Sequence, residues 1–461
     1  MQVENTHKIF NKSKRKHILV ITNHGCHAPV IEVTTDTAGQ NFYVNDLCSA
    51  LVKLGYKITI LNRGGYRHPV TRDLQRGIMY YDKILTKRGI YCRLIYLEDG
   101  EKDFIPKERL KKHNLAQEKD FFFEIAKKID LDLKRIYFIS SHYWDGGILG
   151  MLIDDELEKR YGYHVPHIWT PHSLGVLKRR NYKNASARVV RILNFPSRIR
   201  NEERIISQAE GVVSTSNKIN ATLSAEYKSR VKNHFWFPPG VNTDVFKPRR
   251  INQCERGLSI LQEKLSIDKD EALNLIKAKI VFMEAGRTTK SKQKDMVLKA
   301  FSRIENKNQA FLIMNVDPKG DAYRRIKKVY TNLENRKNIL LIERHVTDEE
   351  IAQIFSFANV YITASLMEGW GMAVQEAAAS KCAIISSKHV PFATEALKEN
   401  ALIVNKNSAR LYAEKMDIMI KEPTLRQRLA SRSYKIASIH YSWTALARDL
   451  IKEMKKRKVV S

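Results

Sequence analysis

The sequence predicts an α/β protein of two domains, each organised around a parallel, doubly wound sheet. Three observations carry this. The chain has 461 residues, more than one hydrophobic core usually organises. Apolar runs of strand length alternate with helical stretches from residue 18 onward, the pattern of parallel strands with crossover helices. The alternation stops at a turn-rich break, Phe237–Pro248, and then restarts.

In chain order, residues 1–17 are polar and basic and read as a flexible N-terminus without the apolar core of a secretion signal. Ile18–Thr22 is the first strand. Leu47, Leu51 and Leu54 lie at helical spacing, with Asp36 or Thr37 available as a cap. Lys57–Leu61, Cys92–Leu97, Ile136–Ser140, Val165–Thr170 and Gly211–Thr215 continue the strands. Phe121–Ile129 and Arg198–Gln208 are among the helices between them. The first domain thus runs over 18–245 and the second over 246–435. Residues 252–278 read as charged and helical. Second-domain strands fall at Ile280–Glu284, Ala310–Met314, Ile339–Ile342, Val360–Thr363 and Ala383–Ser386. Arg426–Lys456 reads as helical; residues 436–461 form a C-terminal helix, for which a return to the first domain is one option.

Lys and Arg number 80 against 50 Asp and Glu, a net charge of +30. Such a field attracts nucleic acid, anionic membrane or phosphorylated ligands. It also fits a lysine-rich solvated surface, and the run Lys455–Lys458 fits either a lipid or nuclear-import cluster or a solvated helix end. No apolar run approaches the roughly 18–20 residues of a membrane span. Five scattered cysteines without a CxxC pair indicate buried thiols in a reducing cytosol, and no zinc site. No nucleic-acid motif is present, so no nucleic-acid partner is expected. The expected location is cytoplasmic.

The most informative stretch is Ser365–Ser387, which reads as loop, helix and strand. The helix Met372–Ala379 follows Gly369 and Gly371, so its N-terminus offers free N–H groups and a positive dipole end to an anion. Glu368 precedes it and Glu376 lies about one turn inside. Ionised carboxylates accept charge-assisted hydrogen bonds from sugar hydroxyls. The stretch therefore suits a phosphorylated sugar, and it also reads as a plain βαβ unit with surface glutamates. Gly286 and Arg287 follow another strand, with Lys292 five positions on. Arg287 as a fork and Lys292 as a point charge suit a diphosphate, although Lys290 and Lys294 make the loop generally basic. In the first domain Gly39 heads a helix, and His142, Asp145 and His172 fall at the carboxyl ends of neighbouring strands. Open parallel sheets bind ligands there.

Taken together, the chain resembles the retaining glycosyltransferases of family 4, with the GT-B architecture of two Rossmann-like domains facing across a cleft. Its first half looks most like the sucrose-phosphate synthase and sucrose synthase branch. The resemblance rests on Asp36–Gln40, His142–Asp145, His172–Lys178, Arg198–Glu203, Ser214–Ser216, Pro238–Asn242, Gly286–Arg287 with Lys292, and Glu368 with Glu376. It spans about residues 18–445. It implies transfer of a hexose from a nucleoside diphosphate sugar, as co-substrate, with neither cofactor nor catalytic metal. His172, Glu368, Arg287 and Lys292 are the implied catalytic set. Gly39, Gly286, Gly371, Met372 and Glu376 join Arg287, Lys292 and Glu368 in binding the donor. Gln40, Lys102, His142, Asp145, Lys178 and Arg198 are the implied acceptor contacts.

Two departures concern the acceptor. Ala38–Gly39 stands where the branch has two glycines. The lysine implied to bind acceptor phosphate is displaced by one, to Lys102, with Asp103 in its place. Between Lys178 and Arg204 there are nine basic residues and two acids, Glu202 and Glu203. The resemblance puts this segment on the acceptor side and so implies an anionic or phosphorylated acceptor; the segment also reads as a solvated basic helical hairpin. A peripheral enzyme of surface polysaccharide or glycolipid synthesis, held to anionic membrane, is the alternative; a nucleic-acid binder on a degenerate scaffold is a third reading.

Overall fold

The alternation closes into two sheets in the computed structural model. It describes residues 2–27, 39–67, 72, 74–80, 89–101, 103, 105–182, 186–249, 268, 275, 278–334, 336–344 and 346–461. The chain divides into two units, Met1–Pro238 with Trp443–Ser461, and Pro239–Ser442.

The first unit contains β1 (His17–Thr22), β2 (Lys57–Arg63), β3 (Ile78–Tyr80), β4 (Cys92–Leu97), β5 (Ile136–His142), β6 (His167–Thr170), β7 (Gly211–Ser214) and β8 (His234–Trp236). Their order is β3-β4-β2-β1-β5-β6-β7-β8, and every pairing is parallel except β3 with β4. The second unit holds β9 (Ile280–Glu284), β10 (Ala310–Asn315), β11 (Ile339–Ile342), β12 (Val360–Thr363), β13 (Ala383–Ser387) and β14 (Leu402–Val404). These are parallel throughout, in the order β11-β10-β9-β12-β13-β14. Every residue of β1, β9, β12 and β13 is buried. That is why they read as continuous apolar runs rather than alternating ones. In each sheet the winding reverses at one place, between β1 and β5 and between β9 and β12. Those are the switch points at which such sheets bind ligands.

Three strands escaped the sequence reading: β3, β8 and β14, each of three residues. Residues 1–17 also differ from expectation. Gln2–Lys12 is a helix, α1. Its Phe10 is fully buried, with the Arg93 guanidinium 3.9 Å and the Lys57 ammonium 5.2 Å from the ring centroid. Burial of one aromatic ring, cation–π contact and Lys57 Nζ donating to Phe10 O at 3.1 Å together hold this largely polar segment.

The units divide at 238/239, not at the expected 245/246. Val241 N donates to Tyr441 O at 2.9 Å, and Phe246 enters the core of the second unit. Residues 436–442 stay with that unit too, through buried Ala437. Only from Trp443 does the chain rejoin the first unit, where the Trp443 ring meets the edge of Tyr43 at 4.9 Å. The expected helix over 252–278 and the caps Asp36 and Thr37 lie outside the described residues, apart from 268, 275 and 278.

Candidate functional site

The second switch point is built from the loops that leave β9 and β12. After β9 the chain turns at Gly286, whose φ of +138° is strained for any residue with a Cβ. Arg287 follows, exposed and without an ion-pair partner among the described residues. The loop then makes a single 3₁₀ turn at Lys290–Lys292. After β12 the chain runs through Ser365–Gly371 into a helix over Met372–Ala379. Leu366 N donates to Ser291 O at 2.8 Å, which ties the two loops together. Gly371 holds φ +107°, and a Cβ there would stand 2.3 Å from Val390 Cγ1. No side chain caps this helix N-terminus, so its first N–H groups are available to a ligand. Gln375 braces it, accepting from Trp370 Nε1 at 3.1 Å and donating to Pro239 O at 3.2 Å.

The three lysines of the basic loop have different tasks. Lys292 Nζ forms an ion pair with Glu368 Oε1, the side chains being 13% and 16% exposed. Lys294 is fully buried, 2.7 Å from the equally buried Glu284. Burial pushes the Glu284 carboxyl up and the Lys294 ammonium down, and each charge offsets the other's shift. Lys290 is exposed, and its backbone N donates to Asp321 at 3.0 Å. Glu376 is half-buried one turn into the helix, and Met372 is exposed at its start. Arg344 forks onto Glu350 at 2.8 and 3.2 Å; its neighbour His345 lies outside the described residues.

The first switch point is a network of histidines. His24 Nδ1 lies 2.9 Å from Asp145 Oδ2. His142 Nδ1 lies 2.9 Å from His172 Nε2, so one ring donates and the other accepts. His27 bonds Thr22 Oγ1 at 3.1 Å and Asn45 Oδ1 at 2.9 Å. Gln40, in the first turn of α2 (Gly39–Lys53), donates to the same Thr22 hydroxyl at 3.2 Å. Burial pushes His142 well down, His27 to about 4 and His172 to about 3. These rings are neutral at pH 7. Tyr143 and His172 hold φ of +66° and +52°, conformations that cost non-glycine residues energy and collect at functional sites.

Several acceptor contacts expected from sequence are already committed. Asp145 is completely buried against His24. Arg198 is buried too; it donates to Glu202 at 2.8 Å, the Tyr143 hydroxyl at 2.5 Å and Ser173 O at 2.7 Å. Lys178 remains partly exposed, 5.5 Å over the Tyr143 ring. It lines an open cavity of about 270 Å³ whose other basic groups include Lys111, Lys112 and Arg204, over apolar Leu110 and Phe195. Gly39 is exposed at the head of α2, and Ala38 and Lys102 lie outside the described residues. Sequence reasoning missed His24 and His27, although His24-Gly-Cys-His27 follows a strand just as His142 does. It also missed the Glu284–Lys294 pair and the Ser291 brace, which carry no motif. Among the described residues, no group of three or more His, Cys, Asp or Glu could hold a metal ion, and no helix is long and apolar enough to cross a membrane.

Comparison with known proteins bears on the same site. Residues 266–436 match the family described as glycosyl transferases group 1. The chain is 26% identical to mannosylfructose-phosphate synthase of Agrobacterium fabrum, over 94% of this chain and 90% of that one. It is 24% identical to a probable sucrose-phosphate synthase of Thermosipho melanesiensis, over 92% of each. Its fold is similar to the solved sucrose-phosphate synthase of Thermosynechococcus elongatus. The TM-score is 0.67 at 22% identity, over 97% of this chain and 100% of that one.

Proposed function

We propose that this chain, a glycosyltransferase with the GT-B architecture, moves a hexose from a nucleoside diphosphate sugar to a sugar phosphate, with retention at the anomeric carbon. The observation that carries this reading is the grouping of exposed Arg287, the Lys292–Glu368 pair and an uncapped helix N-terminus at one switch point.

Each group has a task in that reaction. Arg287 forks onto diphosphate oxygens and Lys292 adds a point charge. Glu368 accepts hydrogen bonds from sugar hydroxyls, and Glu376 from ribose hydroxyls. N–H groups at Gly371 and Met372 hold sugar and phosphate. As the bond from the anomeric carbon to the diphosphate breaks, its electron pair stays on the leaving nucleoside diphosphate. Arg287 and Lys292 stabilise that charge where it develops. The acceptor hydroxyl bonds the same face of the carbon and gives its proton to the leaving phosphate oxygen. His172, neutral, sits beside the donor sugar and hydrogen-bonds without adding charge. Gly39 and Gln40 border the reaction centre, and the basic cavity at Lys178 takes the acceptor phosphate. The names of two relatives, both sugar-phosphate synthases, favour such an acceptor. We place the reaction in the cytoplasm, in keeping with the four cysteines among the described residues, which are free and buried.

The test is a screen of UDP-, GDP- and ADP-sugars for nucleoside diphosphate release, with acceptors that do and do not carry phosphate. Release should depend on one donor, rise with a phosphorylated acceptor and persist in EDTA, and NMR should show the donor's anomeric configuration in the product. No release from any donor by folded protein refutes the reading. An inverted product refutes retention, and preference for unphosphorylated acceptors refutes the acceptor class.

A further inference from the structure

The basic segment Lys178–Arg204 has a one-sided charge, because one of its two acids is buried and the other is tied to backbone N–H groups. Glu202 is buried and accepts from Gly175 N and Arg198. Glu203 accepts from Lys228 N at 2.7 Å and Ser229 N at 2.8 Å. The cations have fewer inward partners: Arg179, Arg188, Arg191 and Arg200 are exposed, while Arg180 pairs with Glu226.

Within this segment lies a helix, α3 (Ala187–Leu193), none of whose residues is buried. Val189, Val190 and Ile192 are 37%, 39% and 46% exposed. The Ser186 hydroxyl caps its start, and Asn194, at φ +41°, turns the chain into the next helix, α4 (Phe195–Gln208). Helices of this length are held by burying an apolar face; this one keeps aliphatic side chains in water beside Arg188 and Arg191.

We propose that α3 is a docking surface for an anionic lipid bilayer. Aliphatic side chains flanked by arginines match the boundary between acyl chains and anionic headgroups. Nucleic acid would use the cations and leave the aliphatics uncovered. A second copy of this chain, at net +30, would be repelled. With no described helix able to span a membrane, the contact is peripheral. Leu193 and Asn194 also line the basic cavity, so docking sets the acceptor pocket close to the lipid surface.

The test is co-sedimentation of the full chain with vesicles of phosphatidylglycerol and phosphatidylcholine in equal parts, against pure phosphatidylcholine. The protein should pellet with the anionic vesicles at about 50 mM salt and be released at about 500 mM. Arg188→Gln with Arg191→Gln should weaken binding about 25-fold, near fivefold for each cation. Val189→Ser, Val190→Ser and Ile192→Ser together should weaken it about tenfold. Both variants should keep the wild-type circular dichroism spectrum and nucleoside diphosphate release. Failure of the wild type to bind anionic vesicles overturns the proposal. So does binding that both variants retain in full. Concentration-dependent dimerisation that the serine variant abolishes would assign the face to a second copy and overturn it equally.

Discussion

The two switch points are built from similar residue types and have opposite economies. In the second unit the charges stand at loop tips. Arg287 is exposed, Lys292 and Glu368 pair with each other near the surface, and a helix N-terminus is uncapped. In the first unit, Asp145, His142 and Arg198 are consumed by partners inside the protein. A ligand reaching the second unit meets groups ready to exchange partners. One reaching the first meets a scaffold whose buried polar network fixes where Gly39, Gln40 and His172 are presented. Substitutions in the two places should therefore fail differently: by lost chemistry in one, by lost folding in the other.

The largest effect that sharpens this contrast is on stability. Arg198→Ala leaves Glu202 buried without its counter-ion, and should destabilise the chain by about 3–5 kcal/mol in urea unfolding. A stable Arg198→Ala protein whose only defect is a raised acceptor KM would break the comparison and return Arg198 to direct acceptor binding. Next, Arg287→Ala should leave the urea midpoint in place and lower kcat/KM for donor by about 10²–10³, the usual cost of one charge-stabilising donor. Combined with Lys292→Ala, it should be no worse than the poorer single variant if the two act as a unit.

A third difference appears in acid. His17, His27, His142, His167 and His172, all in the first unit, have pKa values lowered by burial, three of them to about 3 or 4. In the described part of the second unit both histidines, His389 and His440, are exposed. A base with a lowered folded pKa binds its proton more readily when unfolded. Its stabilisation is whole above pH 6.5 and is lost as pH falls toward 4. The loss is at most about 1.4 kcal/mol per pH unit for each ring. Hydrogen exchange at pH 7, 5.5 and 4.5 should show the first unit opening before the second; simultaneous opening would contradict this. Smallest of all, Lys290→Ala should change turnover less than about twofold, which separates Lys292 from its exposed neighbour.

Legibility followed the same division. Ile280–Glu284 and Val360–Thr363 were readable to the residue because both faces of each strand are buried, and Ile339–Ile342 because only Leu341 in it is partly exposed. The motif loops of the second unit were readable because a glycine, an arginine or a glutamate at a strand end announces itself locally. What escaped depends on partners far apart in sequence. Nothing near Asp145 says that its charge is met by His24, 121 positions away. Nothing near Lys294 distinguishes it from Lys290 until Glu284 is seen beside it. The three-residue strands β3, β8 and β14 are too short for periodicity to speak.

The path of the chain through Pro239 and Ser442 has a consequence for synthesis. The second unit is a continuous insert within the first, whose Tyr43 and Phe237 wait for Trp443. As the chain leaves the ribosome, residues 239–442 are complete before that indole exists. Although its residues begin to emerge first, the N-terminal unit is the last to close, and the insert has the opportunity to fold before it does.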